Sequence, residues 1–226
     1  MSSGIGDPTI LITGAGRGLG RELARLYAED GWRVIACARG PVDQGEGRHL
    51  DVADPASIEA LGASLAGAAI DVVVNNAAVR GDTGGLETLS PEDFSEVMRV
   101  NALGPLLVAR ALHGNLMAGR RRLLVNIGSR AGSLAEGIVD DDDGDYAYRL
   151  SKAAMNMATV LLARDWKKDG MTVLSLHPGW VKTDMGGAEA VLPVETSAAG
   201  LKRVIDGAGT GDSGGFRAYD GTAICW

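Results

Sequence analysis

Short apolar runs rich in Val, Ile and Leu alternate along this chain with longer stretches whose apolar residues recur at helical spacing. The run opening at Thr9 predicts a buried strand, and glycines at 14, 16, 18 and 20 follow it. Arg21 to Asp30 then carries Leu23, Ala24, Leu26 and Tyr27 on one helical face. Further strands are predicted over Trp32 to Ala38, Arg48 to Asp51, Ile70 to Val74, Arg122 to Ile127, Met171 to His177 and Phe216 to Tyr219. Helices are predicted after Asp54-Pro55, from Ser90 through Asn101 towards Met117, from about Tyr146 to Lys168, and from Val194 to Asp206. Strands alternating with helices of this length imply right-handed crossovers and a parallel sheet covered on both faces. The fold class expected is α/β, one doubly wound domain over residues 1–226 with a central parallel sheet.

Composition narrows the picture modestly. A net charge of −7 argues against nucleic acid or an anionic membrane as a partner. Cys37 and Cys225 suggest neither a disulfide framework nor a metal site, and no metal is expected. Met1 to Asp7 lacks a signal-peptide pattern and no apolar run is long enough to span a bilayer, so a cytoplasmic protein is expected.

In such sheets ligands bind beyond the carboxyl ends of the strands, so the strand ends become site candidates. The glycine turn offers a phosphate cradle, with Gly14, Arg17, Gly18, Leu19 and Gly20 against the start of the next helix. The second strand ends in Ala38-Arg39, where an NAD site would place a carboxylate. Arg39 and Arg17 instead suit the 2′-phosphate of NADPH, unless each is only a solvated loop charge. Asp51 and Val52 either meet an adenine or form a plain turn that caps the helix of Ser57.

Tyr148 and Lys152 stand at i and i+4, on one helix face. An ammonium so placed favours tyrosinate and is expected to lower the phenol's pKa, making it a proton donor or acceptor near neutrality. Ser129, at a strand end, fits either a hydrogen bond to a substrate oxygen or a turn cap. Asn101 lies mid-helix, where asparagine is a mediocre former; it either holds a water on a proton path or is an ordinary exposed residue.

Thr13-Gly14-x-x-x-Gly18-x-Gly20, Asp51-Val52, Asn75-Asn76-Ala77-Ala78, Asn101, Ile127-Gly128-Ser129, Tyr148-x-x-x-Lys152 and Pro178-Gly179-x-x-x-Thr183 occur in one order and spacing across the whole chain. That combination resembles the short-chain dehydrogenase/reductase family, with its Rossmann-type fold. The stretch from Tyr146 to Ala154, His177 to Gly187 and the ending Tyr219-Asp-Gly resemble its C-factor-like branch, near NADPH-dependent carbonyl reductases. The resemblance implies Tyr148 as catalytic acid/base, Lys152 lowering its pKa and binding ribose, Ser129 orienting the carbonyl, and Asn101 supporting the relay. It implies NADP(H) held by the glycine turn, by Asn76 and Ala77, and by Pro178, Gly179, Val181 and Thr183. Two departures are Ala78, where glycine is usual, and Gly128, where serine is common.

Substrate contacts are expected from Leu134, Ile138, Trp180 and Met185, mostly apolar side chains suited to an aldehyde or ketone in an open pocket. The acidic run Asp140 to Asp145 misses the calcium-loop register and reads as a solvated loop that would disfavour anionic substrates. Small apolar residues along the Tyr148 helix suit either core packing or a homodimer or homotetramer contact. Two other functions stay in view: a cofactor-binding regulator with incidental catalysis, and alcohol dehydrogenation with NAD, which Arg17 and Arg39 disfavour.

Overall fold

The computed structural model describes residues 6–137 and 144–226. Seven strands form one sheet: β1 (Thr9–Thr13), β2 (Arg33–Ala38), β3 (Glu46–His49), β4 (Val72–Asn75), β5 (Leu123–Ile127), β6 (Thr172–His177) and β7 (Phe216–Ala218). All pairings are parallel, in the order β3-β2-β1-β4-β5-β6-β7. The helices are α1 (Gly18–Glu29), α2 (Pro55–Ser64), α3 (Pro91–Met98), α4 (Gly104–Ala111), α5 (His113–Ala118), α6 (Tyr146–Asp165) and α7 (Val194–Gly207).

Side chains alternate across a strand, and the two cores show it. Ile10 and Ile12 of β1 join Leu23 and Tyr27 of α1 and Leu201 and Ile205 of α7. Leu11, between them, joins Ile58 and Leu61 of α2, Val108 of α4 and Leu116 of α5 on the opposite face. The chain reverses direction across the sheet between β1 and β4, so the crevice for a ligand opens at their carboxyl ends. Among the described residues, no helix is long and apolar enough to cross a membrane.

Three expectations shift. β3 lies two residues earlier than Arg48 to Asp51, because it is an edge strand of polar residues with no apolar run to mark it. The helix expected from Ser90 to Met117 is broken into α3, a π-type stretch over Arg99–Leu103, α4 and α5. Pro105 has no N–H to donate to the carbonyl one turn back, so the regular ladder fails there. Finally, α6 stops at Asp165, and a 3-10 turn through Lys167–Asp169 ends on Gly170 at φ +66°.

Candidate active site

The glycine turn and the turn after β4 lock together. Thr13 Oγ1 accepts from the backbone N–H of Asn76 and of Ala77, both at 3.0 Å. The Asn76 amide donates back to the carbonyls of Thr13 at 2.9 Å and Gly14 at 3.3 Å. Gly14 has φ +68°, and a Cβ there would stand 2.9 Å from the Ala77 Cα. A Cβ on Gly20 would fall 2.4 Å from both the Gly14 oxygen and Asn76 Nδ2. Gly20 is thus the residue that lets α1 approach this turn closely, and it is not part of the cleft lining. The start of α1 has no side-chain cap and no acidic residue in its first turn, so its orphan N–H groups and positive dipole end suit an anion.

A cleft of about 1710 Å³ lies at the carboxyl edge of the sheet. At one end lie Arg17, Gly18, Leu19, Arg39, Asp51 and Val52; at the other lie Ser129, Tyr148, Lys152 and Trp180. That volume exceeds the range of about 300–1,000 Å³ usual for a single drug-sized ligand and leaves room for a dinucleotide with a substrate beside it. Asn76, Ala77, Pro178, Gly179, Val181 and Thr183 line the middle. Gly18 sits at φ +52° with the Thr183 methyl 3.3 Å from where its Cβ would be.

The polar residues beside the glycine turn make contacts of their own. Arg17 Nη1 lies 3.0 Å from Asp184 Oδ2, with the two side chains 79% and 80% exposed, an ion pair that opens at little cost. Asp51 does not cap α2: its Oδ1 accepts from Ala53 N at 2.9 Å, while Asp54 accepts from Ala56 N and caps the helix.

At the other end, Lys152 is 3% exposed and its Nζ donates to the Ile127 carbonyl at 2.8 Å. Burial pushes its pKa down to about 8. Nζ stands 5.6 Å from the centroid of the Tyr148 ring. The lowering of the phenol expected from Lys152 is not what this chain shows. Burial drives the Tyr148 phenol above its ordinary value, against the pull of a hydrogen bond from Ser129 and of the Arg80 charge. Ser129 also accepts from Ala131 N at 3.2 Å, so the turn-cap role and the site position coexist.

Asn101 is fully buried. Its Oδ1 accepts from Val79 N at 2.9 Å, and its Nδ2 donates to Val79 O at 2.7 Å and Ser151 Oγ at 3.0 Å. The side chain therefore ties the turn after β4 to α6, and its amide is used up in doing so. Gly128 has a plain reason: a Cβ there would stand 2.2 Å from Ser175 Oγ, which bonds Asn156 Oδ1. Ala78 is accommodated because its φ lies outside the left-handed region.

Trp180 and Met185 line the cleft, whereas Leu134 does not and is 87% exposed. Ile138 and the acidic stretch 140–143 lie outside the described residues. Sequence reasoning passed over Arg80 and His177 and read Asp145 as part of a solvated acidic loop, yet all three line the cleft and Asp145 is buried. His177 Nδ1 accepts from Arg130 N at 3.3 Å, and burial holds its pKa down at about 4, so the imidazole is neutral near pH 7. Its place beside Pro178, at a strand end, was the available signal.

Comparison with known proteins agrees with this geometry. The chain is 44% identical over 157 residues to the C-signal of Myxococcus xanthus, covering 70% of this chain and 93% of that protein. It is 35% identical to the 1-hydroxy-2-glutathionyl-2-methyl-3-butene dehydrogenase of a Rhodococcus species, covering 96% and 99% of the two chains. The crystal structure of NADPH-bound carbonyl reductase from chicken fatty liver superposes with a TM-score of 0.89 at 30% identity, over 97% of this chain and 99% of that one. The short chain dehydrogenase family profile matches residues 8–190, and this chain, with its parallel sheet and locked glycine turn, belongs to that family of oxidoreductases.

Proposed function

We propose that this protein reduces an aldehyde or ketone carbonyl to the alcohol with NADPH. The observation that carries the reading is the meeting of Ser129, Tyr148 and Lys152 in the cleft that also holds the glycine turn and Arg39. A bound nicotinamide supplies the hydride. The Ser129 hydroxyl and Tyr148 phenol face the substrate oxygen, and Tyr148 donates its proton as negative charge develops there. The raised phenol favours this direction, since the acid must be protonated to act. Lys152 stabilises the tyrosinate left behind, and Asn101 acts through placement, holding the Val79 turn against α6. Trp180 and Met185 offer apolar walls to the body of the substrate. The test is NADPH consumption by purified protein against a panel of aldehydes, ketones and quinones. A silent panel with NADPH bound would leave the regulatory reading, which the 44% identity to the C-signal favours.

Arg39 has no ion-pair partner among the described residues and lines the phosphate end of the cleft. Arg39→Ala is expected to cut the NADPH over NADH preference in kcat/KM about tenfold, the equivalent of about 1.4 kcal/mol. An unchanged preference would remove the 2′-phosphate assignment.

Leu150, Met157 and Leu161 of α6 are exposed apolar residues, and a homodimer or homotetramer formed on this face is part of the same proposal. Light scattering on Met157→Glu, expected to show a smaller assembly than the parent, reads this directly. Small-molecule carbonyls and alcohols are the expected partners, in the cytoplasm.

A further inference from the structure

We propose that Arg80 and Asp145 are positioning residues for Tyr148: the pair pins the opening of α6 to the loop after β4 and sets the charge that the phenol faces. This rests on the reading of Tyr148 as the proton donor. Asp145 directly precedes α6 and has φ +54°, a left-handed conformation uncommon outside glycine, though aspartate is among the residues that tolerate it. Arg80 pairs with its carboxylate. Its Nε lies 3.1 Å from each carboxylate oxygen, and its Nη2 lies 2.5 Å from Oδ2. The Asp145 carbonyl in turn accepts from Arg149 N at 2.8 Å, within the first turn that carries Tyr148. The same two segments meet again one residue earlier, where a Cβ on Gly144 would stand 2.6 Å from the Thr83 carbonyl oxygen. The Asp145 side chain is 10% exposed and that of Arg80 34%, so water screens this pair far less than the Arg17–Asp184 pair at the rim.

The groups around the phenol come from four segments. Ser129 comes from the turn after β5, Arg80 from the loop after β4, and Asp145 and Lys152 from α6 and its start; His177, at the end of β6, faces Lys152. Ser129 and Arg80 favour ionisation of the phenol, and Asp145 opposes it. Because Arg80 and Asp145 push in opposite directions, removing each charge has an opposite consequence at Tyr148. A purely structural clamp gives no such inversion, since loosening either end disturbs α6 alike.

The experiment is an ultraviolet titration of tyrosinate on the intact chain with NADP⁺ bound, run on the parent, Arg80→Met, Asp145→Asn and Arg80→Lys. Each trace is corrected with the same protein carrying Tyr148→Phe, which removes Tyr27, Tyr146 and Tyr219 from the signal. Arg80→Met is expected to raise the Tyr148 midpoint and Asp145→Asn to lower it, each by about half a unit or more, roughly a threefold change in the ionisation constant. Arg80→Lys should stay near the parent. In alcohol oxidation, where the phenolate must accept a proton, the acid limb of kcat/KM should move the same way in each variant. Shifts of the same sign in both charge-removing variants, or none in either, would overturn the proposal. If Arg80→Met does not fold, Asp145→Asn decides alone by the presence or absence of its downward shift. The titration needs no turnover: inverted shifts in a protein that reduces no carbonyl would sink the enzymatic reading and leave only the charge assignment at the phenol, whereas unshifted midpoints in an active enzyme would overturn this proposal and keep the enzymatic reading.

Discussion

Tyr148→Phe is expected to lower carbonyl reduction by about 10²–10⁴-fold, the usual contribution of a positioned general acid. The substitution removes one oxygen and keeps the ring, so packing at the start of α6 is preserved. Ser129 retains its bond to Ala131 N, and Lys152 retains its bond to the Ile127 carbonyl. NADPH binding, followed by fluorescence, should therefore change little, and the loss should sit in kcat. The comparison with Ser129→Ala is informative, because Ser129 donates a hydrogen bond and no proton. Its variant should lose less, and the pH dependence of reduction should move upward, because the bond that favours the ionised phenol is gone. A Tyr148→Phe protein turning over carbonyls at the parental rate would place the proton source elsewhere, and His177, neutral in the same cleft, would be the next residue to replace.

The interior of the sheet was legible because its strands are continuous apolar runs, as strands buried on both faces must be. β3 was not, since an edge strand alternates between half-buried and exposed residues and Glu46–His49 has no apolar residue to show it. The break at Arg99–Leu103 was hidden for a different reason. Val97, Val100 and Val108 stay in helical phase across it, so periodicity passes straight through a change of ladder. Only the mid-helix Asn101 hinted at it, and its bonds to Val79 and Ser151 span 22 and 50 positions of sequence. Ser129, Tyr148 and Lys152, read from a family resemblance, do meet in one cleft. What spacing could not show was their electrostatics. Lys152 one turn from Tyr148 suggested an acidic phenol, but burial raises its pKa, and the charges that act on the ring are those of Arg80 and Asp145, 65 residues apart in sequence. Leu134 failed for a similar reason: adjacency to Ser129 in sequence did not put it in the cleft, because the turn Arg130–Gly132 carries it outward.

Lys152→Met should abolish carbonyl reduction and, at neutral pH, make the protein more stable. The ammonium is buried with one hydrogen bond among the described residues, to the Ile127 carbonyl, and burial lowers its pKa from 10.5 to about 8. A fall of that size corresponds to about 3 kcal/mol of unfavourable differential interaction with the charged form. Methionine fills a similar volume without the charge, at the cost of leaving the Ile127 oxygen without this donor, about 1–2 kcal/mol. The net gain expected in urea unfolding at pH 7 is thus about 1–2 kcal/mol. Its pH dependence has a fixed sign. Between about 8 and 10.5 the unfolded parent holds the Lys152 proton and the folded parent does not, so the parent gains stability as pH rises through that window. The variant has no such group. Its advantage is therefore fully present below about pH 8 and shrinks to nothing, or reverses, by about pH 10.5. A variant that is less stable than the parent at pH 7, with no convergence on raising the pH, would mean that the folded chain stabilises the ammonium. Lys152 would then be a structural ion and not a charge held under strain for the tyrosinate. A site that keeps an ammonium buried against its own stability is one selected for chemistry, and the opposite signs of the two effects in one variant are what separate that account from ordinary core packing.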